Sequence, residues 1–364
     1  MRTHYIFTAA LALALDSCSQ GDEGAEVEAR ALTSSVGNGA MRAAPTGDRS
    51  ATELFVKAKT DLRSLIRNSR FAIYELQLPG AEVETRVRSR AASVLGIEAT
   101  AVTVTPHLNA RNPVITARNG DLELSVNVQS GAELYEDTAR FHRGKGIPKE
   151  ALLPQVAYLE KAASYAETRL VSYVAGKDFY TYRLSTYYKG GGRVGEQESV
   201  DEPYQIVVVF NERIGGVPII GPGGKLVVHL KHDGEVLAHR STVVPIKNSI
   251  KALTEEDFLT PDEAKARATD RLGRSGLTLD DVTVERSELG YLRYNRNARQ
   301  KYLAPHYAFF FKPQPDKGTK TLVEIVPAVK TPDLLALIES DRKADEERKA
   351  AIRSLTRATP RVTR

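Results

Sequence analysis

Cysteine is almost absent from this sequence: Cys18 is the single one among 364 residues, and tryptophan is missing altogether. One cysteine cannot form an internal disulfide, so the stability of the folded chain must come from packing. The apolar run from Ile6 to Leu15 has no charge, but it is short. Ten residues of helix span roughly 15 Å, about half of a bilayer's hydrocarbon core, so a permanent transmembrane helix is not expected there.

The first residues have the layout of an export signal, with a short polar head, the apolar run and then Leu15-Asp16-Ser17-Cys18. This tetrapeptide resembles the lipobox of bacterial lipoproteins, although Asp16 stands where a small residue is usual. The resemblance implies that residues 1–17 are removed as a signal peptide and that Cys18 is lipidated. Within that family, Ser19 implies anchoring in the outer membrane of a Gram-negative cell. Ordinary cleavage after Ala12-Leu13-Ala14 and a cytosolic start are the alternatives.

Residues 18–50 are rich in Gly, Ala, Ser and Glu and contain few large apolar side chains. Such a segment cannot bury enough surface to offset the entropy lost on ordering. We therefore expect a disordered tether that holds the folded part roughly 30 Å from the membrane anchor.

The formal net charge of +5 is concentrated at the C-terminus. Residues 341–364 contain eight Lys or Arg and four Asp or Glu, which accounts for +4, and no aromatic residue. Nucleic-acid-binding surfaces combine basic stripes with aromatics, so a nucleic-acid partner is not expected. The tail is interpreted as a solvated helix end, with contact to anionic lipid head groups as the alternative.

The rest of the chain divides into blocks that share one order, a helix followed by strands in hairpins. We predict α+β units at 51–147, 148–258 and 259–330, followed by a C-terminal basic helix and tail at 331–364. Helices are predicted at 51–68, 81–95, 149–169, 261–273 and 332–355. Strands are predicted at 71–78, 122–128, 133–140, 170–175, 179–188, 204–210, 225–231, 235–244, 282–291, 306–312 and 321–326.

Two local signals are specific. Thr260, Pro261 and Glu263 have the spacing of a capping box at a helix start. Asp233-Gly234 predicts a hairpin with a type I′ turn, because both central residues of that turn need a positive φ.

The segment from Gly216-Val217-Pro218-Ile219 through Gly224 to Asp233-Gly234 and Val236 resembles the PepSY-like units in propeptides of thermolysin- and fungalysin-type metalloproteases. Residues 259–330 and, more weakly, 81–140 show the same likeness. The resemblance implies a PepSY- or cystatin-like α+β fold and a non-catalytic role as a chaperone, an inhibitor or a binding module. The His-Glu-x-x-His zinc motif of the proteases themselves is missing from the sequence.

No catalytic residue, metal site or cofactor is predicted. Gly190–Gly195 lacks the Lys-Ser/Thr and the helix of a phosphate-binding loop, and no Gly-x-Ser-x-Gly elbow occurs. His229, His232 and His239 fall in one hairpin, but no acidic or cysteine ligand lies at a supporting spacing. We interpret them as surface or cross-strand histidines, with metal binding as the alternative.

A partner-binding surface is predicted between residues 291 and 307. Tyrosine and arginine are enriched at protein interfaces. The candidate residues are Tyr291, Arg293, Tyr294, Arg296 and Tyr302. The alternative is a structural strand and loop whose tyrosines pack with their hydroxyls outward.

These features predict a non-catalytic envelope lipoprotein that binds a protein, as an inhibitor, chaperone or sensor of an envelope protein or peptidase. The alternatives are an envelope enzyme of unrecognised type and a structural surface lipoprotein without a specific partner.

Overall fold

The computed structural model describes residues 65–358 except 68, 81, 97, 99–100, 108–112, 142–148, 192–199, 275–281 and 315–320. For residues 188–191, 200–202, 349 and 351–358 it describes the backbone alone. The predicted signal peptide, Cys18, the tether and most of the predicted helix 51–68 lie outside the described residues. The described part combines helices with many strands, which confirms the predicted α+β class.

The helices separate groups of antiparallel strands along the chain. They are α1 (Val83–Leu95), α2 (Thr138–Phe141), α3 (Gln155–Arg169), α4 (Val171–Val174), α5 (Pro261–Arg274) and α6 (Pro332–Ala358). The strands are β1 (Ala72–Leu76), β2 (Val104–His107), β3 (Val114–Asn119), β4 (Leu122–Asn127), β5 (Glu133–Asp137), β6 (Asp178–Gly191), β7 (Val200–Ile214), β8 (Val217–Ile220), β9 (Lys225–Leu230), β10 (Val236–Ser241), β11 (Ile246–Ala252), β12 (Val282–Leu292), β13 (Tyr302–Leu303), β14 (Pro305–Pro313) and β15 (Leu322–Pro327).

Most strands join one continuous sheet. Its antiparallel part runs in the order β6-β7-β9-β10-β5-β4-β3-β2. Strand β8 turns back and pairs with the end of β7. It also pairs in parallel with β12, which continues the sheet to β14 and β15. A second sheet of three strands has β1 between β11 and β13.

Three helices cover this sheet, each over its own apolar core. Their buried residues recur three or four positions apart, which places them on one helix face. These residues are Val87, Ala91 and Leu95 in α1, Leu159, Ala162 and Ala166 in α3, and Ala264, Ala268 and Leu272 in α5. Each set packs with strand residues that alternate along the chain, such as Leu226, Val228 and Leu230 beneath α3.

The start of α6 docks on the body, as the sequence predicts. Leu334 and Ile338 are buried in a fourth core together with Ile73 of β1. The two leucine-rich turns of α6 therefore close over the three-stranded sheet.

Strand pairs cross both of the predicted block boundaries. Ser241 to Ala238 of β10 pair with Glu133 to Glu136 of β5, so the first and second blocks share a sheet. Tyr291 and Leu292 of β12 pair with β8, which joins the second block to the third.

The predicted capping box is present at the start of α5. The backbone N–H and the hydroxyl of Thr260 both donate to Oε2 of Glu263, at 2.8 and 2.9 Å, and the backbone N–H of Glu263 donates to Oγ1 of Thr260 at 3.3 Å. These bonds satisfy backbone donors that a helix start leaves unpaired.

The predicted hairpin β9–β10 forms, but its turn differs from the prediction. The N–H of Gly234 donates to the carbonyl of Lys231, so His232 and Asp233 are the central residues and Gly234 follows them with a φ of 84°. The arrangement with positive φ at both central residues occurs instead at Gly215 and Gly216, between β7 and β8.

Two predicted elements are wrong. Residues 170–175 were expected to form a strand, but Val171–Val174 are helical because Leu170 and Val174, four positions apart, fill the same core. The helix predicted from residue 149 begins only at Gln155, because Pro154 stands at its N-cap and separates it from a 3-10 turn at Lys149–Ala151.

Candidate functional site

The structure divides the five predicted partner-binding residues between core and surface. Tyr291 is fully buried: its ring packs against Phe71 and its hydroxyl oxygen accepts a hydrogen bond from the backbone N–H of Ala72 at 3.0 Å. Arg293 is 3% exposed and donates from Nη2 to the carbonyl of Val244 at 3.2 Å. The prediction that Tyr291 and Arg293 form part of an accessible surface is therefore wrong, because β1 and β11 cover the end of β12.

The other three residues keep some exposure. Arg296 is exposed, and Tyr294 and Tyr302 are half-buried. Tyr294, Arg296 and Arg293 line a cavity of about 20 Å³, which is room for about one water molecule. This volume excludes an organic ligand from the cavity.

Arg293 belongs to a buried charge cluster with Glu212 and Lys177. Its Nη2 lies 3.7 Å from Oε2 of Glu212, and Nζ of Lys177 lies 3.8 Å from Oε1. Both distances are longer than hydrogen bonds. Burial lowers the pKa of Arg293 and Lys177 and raises the pKa of Glu212, although the mutual attraction opposes each shift.

A second buried cluster centres on Glu133, between the sheet and helices α1, α3 and α4. The carboxylate accepts hydrogen bonds from Arg90 at 3.0 Å, from the hydroxyl of Tyr173 at 2.8 Å and from Nε2 of His239 at 2.7 Å. The hydroxyl of Tyr165 lies 2.8 Å from Nδ1 of His239. A carboxylate with this many donors remains ionised in the interior.

The pKa shifts indicate a structural role for the Glu133 cluster. Burial would raise the pKa of Glu133, but the hydrogen bond from His239 and the charge of Arg90 hold it at about 2. Burial lowers the pKa of His239 in spite of the carboxylate, so a neutral imidazole donates from Nε2 and accepts at Nδ1 from Tyr165. Burial also raises the pKa of Tyr165 well above its usual range, so this phenol is not an activated nucleophile.

The hairpin histidines do not converge. His229 faces Gln205, with 3.1 Å between Nδ1 and Oε1, and burial lowers its pKa to about 3. His239 lies on the opposite face of the sheet, in the Glu133 cluster, and His232 lies in the turn. Among the residues that the structure describes, no group of three His, Cys, Asp or Glu is placed to hold a metal ion.

One accessible binding feature is the outer edge of β6. This strand pairs with β7 along its length, and within the described ranges no second strand pairs with it. Residues Tyr180 to Thr186 also have no other backbone hydrogen-bond partner in the part described. Every second residue of such an edge presents an N–H and a C=O to solvent, which is a template for another strand.

A β-bulge shapes the side chains along this edge. Tyr180 pairs with Asn211 and Arg183 with Val209, so Tyr182 is the extra residue. Because Asn211 and Val209 are two positions apart on β7, the bulge puts Tyr180 and Arg183 on the same face. Tyr182 is 37% exposed, and its ring lies 6.4 Å from that of Tyr180.

Cations accompany these tyrosines. The guanidinium of Arg213 lies 4.3 Å from the ring centre of Tyr180, and Nζ of Lys225 lies 5.6 Å from that of Tyr182. Both distances fit cation–π contacts. The sequence predicts a strand at 179–188 but does not mark it as an edge, because edge status depends on which strands lie beside it in the folded sheet. The bulge likewise leaves no clear mark in the sequence.

No helix among the described residues is long and apolar enough to cross a bilayer. No protein-family model matches the chain, and no curated protein matches it. Among solved structures, the chain is similar to an uncharacterized protein from Eubacterium rectale, with 9% sequence identity, a TM-score of 0.41, and coverage of 72% of this chain and 84% of that one.

Proposed function

We propose that this chain is a non-catalytic envelope lipoprotein that binds another envelope protein, possible partners including a peptidase, by strand addition at the outer edge of β6. The open edge from Tyr180 to Thr186 is the observation that carries this proposal. In strand addition, main-chain hydrogen bonds supply affinity and neighbouring side chains supply specificity. The exposed Tyr182 beside the edge is a suitable side-chain anchor.

The chemistry of the buried polar groups favours binding over catalysis. His239 is neutral and held on both nitrogens, and Glu133 is committed to three donors. A general base or nucleophile needs a pKa matched to its task and access to a substrate. The Glu133 carboxylate has neither property.

The PepSY-like character of the units is part of the proposal. The residues that carry the resemblance lie in the turn before β8 and in the hairpin β9–β10, where Asp233 and Gly234 are in the turn region. Each of α1, α3 and α5 packs on antiparallel strands, in keeping with helix-plus-meander units.

The proposed anchor is a lipid on Cys18. Export in cells fed a radiolabelled fatty acid tests it: the full chain should be labelled and membrane-bound, whereas Cys18→Ser should be unlabelled and released. Recovery of an unlabelled wild-type chain with Met1 intact would refute the anchor. That result would leave the binding proposal standing, because β6 does not depend on the anchor.

Two neighbouring proline variants test the edge. Successive residues of β6 direct their N–H alternately towards β7 and towards solvent, so one of Ser185→Pro and Thr186→Pro removes a ladder bond and the other removes an outward donor. We expect one variant to lower the melting temperature strongly. The other should keep it and is then the docking-defective variant.

A photo-crosslinking amino acid at Tyr182 then tests partner capture in intact cells of the native species. We expect a discrete adduct from position 182, loss of that adduct in the docking-defective variant, and none from the control position Val171, which is 54% exposed on α4. Equal capture from both positions, or capture that survives the proline substitution, would refute strand addition at β6.

A further inference from the structure

The bulge in β6 gathers positive charge beside the open edge, and this points to the chemistry of the ligand. We infer that the segment taken up at β6 is an extended acidic peptide whose carboxylates face Arg183, Arg213 and Lys225. This inference rests on the proposed function, since it names the ligand class for the same edge.

The three cations share one face of the sheet. Arg183 pairs with Val209, and Lys225 pairs with Asn211, two positions along the same strand. Arg213 lies two further positions along β7. Because side chains on alternate positions share a face, all three project from the face that carries Tyr180.

Cations outnumber acids among the described side chains beside the edge. Arg286, which stacks over Phe310 at 3.8 Å, adds a fourth cation, whose charge acts on Tyr182. The opposing acids are Glu288, paired with Arg286 at 3.2 Å, and Asp178, which pairs in register with Arg213. Among the side chains that the structure describes beside the edge, four cations against two acids leave an excess of two positive charges.

Charge repulsion disfavours a second copy of the chain as the occupant of the edge. Edge-to-edge pairing of two β6 strands would bring two sets of Arg183, Arg213 and Lys225 onto one enlarged sheet. The charged groups of Arg213 and Lys225 lie over Tyr180 and Tyr182 of β6, so like charges from both copies would collect at the joined edges and repel. An acidic strand has the opposite effect, because its carboxylates would lie beside these cations.

The length of the ligand follows from the register. Between the two irregularities of β6, Arg183 to Tyr187 pair one-to-one with Val209 to Gln205. Five residues are a typical strand length, so a peptide of about eight residues spans the regular part with some overhang.

Fluorescence anisotropy with three labelled octapeptides tests the inference on the purified full chain. The peptides alternate Thr with Glu, Thr with Gln or Thr with Lys. We expect the Glu peptide to bind at least about tenfold more tightly than the Gln peptide at low salt, and the difference to shrink in about 0.5 M salt. The Lys peptide should bind most weakly.

Charge variants localise the effect. Arg183→Gln, Arg213→Gln and Lys225→Gln should each reduce the preference for Glu over Gln by severalfold, with little change for the Gln peptide. Arg274→Gln is the control, because its side chain is 76% exposed on α5 and pairs with Asp270. It should leave the preference unchanged.

The outcomes separate this inference from the proposed function. Equal binding of the Glu and Gln peptides, with both lost in the docking-defective proline variant, would overturn the acidic ligand and keep strand addition. No binding of any peptide, with no effect of the proline substitution on partner capture, would overturn both. A dimer in sedimentation experiments that the same substitution abolishes would assign the edge to a second copy, and would also overturn the acidic ligand.

Discussion

Nε2 of His239 lies 2.7 Å from Oε1 of Glu133, although the two residues are 106 positions apart in the chain. Both side chains are completely buried. The contact crosses the paired strands β5 and β10. It therefore stabilises the junction of the first two blocks, on the face of the sheet that the helices cover. Arg90 brings the compensating charge from α1, which makes the ion pair a link between helix and sheet.

Removing Glu133 should destabilise the protein strongly. In Glu133→Ala the guanidinium of Arg90 loses its partner in a site where it is 12% exposed, so we expect a loss of about 3 kcal/mol or more in the free energy of unfolding. Urea denaturation measures it. Glu84→Gln is the control, since Glu84 pairs with Arg88 on the exposed side of the same helix and should change stability by less than about 0.5 kcal/mol. Similar losses in both variants would contradict the role of Glu133.

The buried histidines should make the fold sensitive to mild acid. Burial lowers the pKa of His306 to about 4, against 6.5 for a free side chain. The unfolded chain therefore takes up a proton on this histidine near pH 6.5, whereas the folded chain takes it up only near pH 4. Stability falls as the pH decreases across that window. Between pH 8 and pH 5 we expect His306 to account for about 2 kcal/mol of lost stability.

His306→Gln is the direct comparison for this pH effect. Denaturation curves at several pH values should show a flatter dependence for the variant between pH 8 and pH 5. Part of the dependence should remain, because the pKa of His229 is also low, at about 3. An unchanged pH dependence in His306→Gln would show that other groups cause the loss of stability in mild acid.

Glu133 should add a further loss of stability in stronger acid. Its pKa of about 2 in the folded chain lies below the 4.5 of a free glutamate. The sign follows from proton binding: the contribution is complete above about pH 4.5 and disappears as the pH falls towards 2. In Glu133→Gln this acidic limb of the stability curve should be absent, and its persistence would count against an ionised Glu133.

The close approach of β8 and β12 depends on the lack of a side chain at Gly290. A Cβ there would lie 2.5 Å from the carbonyl oxygen of Pro218 and 2.7 Å from Cγ2 of Ile220. Gly290→Ala should therefore cost about 1–3 kcal/mol in thermal or urea unfolding. Gly273→Ala is the matched control: nothing lies within 4 Å of its Cβ, and alanine should stabilise helix α5 by about 0.5–1 kcal/mol. Equal effects would rule out the steric account.

A double-mutant cycle tests the buried pair Arg293 and Glu212. Arg293→Met leaves the Glu212 carboxylate with Lys177 alone, whereas Glu212→Gln leaves two buried cations without their carboxylate. Both should destabilise, and Glu212→Gln should do so by several kcal/mol. In the double variant both substituted side chains are neutral, so Lys177 carries the single charge of the cluster. Its loss should be smaller than the sum of the single losses by about 1 kcal/mol or more. Additive losses would show that the two charges, 3.7 Å apart, do not interact.

Local signals predicted local structure well. The capping box at Thr260, the strands β12, β14 and β15, and the start of α6 all follow from residues close together in sequence. Strand β11 was missed because six of its seven residues are exposed, so it shows no apolar alternation. It forms through pairing with β1, which is far away in sequence.

The candidate binding residues show the same limit. Tyrosine and arginine between residues 291 and 302 have the composition of an interface, but burial there is decided by Phe71 and by the strands β1 and β11. Edge status is equally non-local. The open side of β6 results from a whole-sheet order that no stretch of the sequence contains.

The position of β1 has a consequence for the order in which the chain can fold. Ala72 pairs with Ala252 and Tyr74 with Leu303, so both neighbours of this early strand are synthesised long after it. Pairings so distant close large loops and form slowly. We therefore expect the three-stranded sheet and the start of α6 over it to assemble late. A chain that ends before Leu303 would leave β1 without one of its two neighbours.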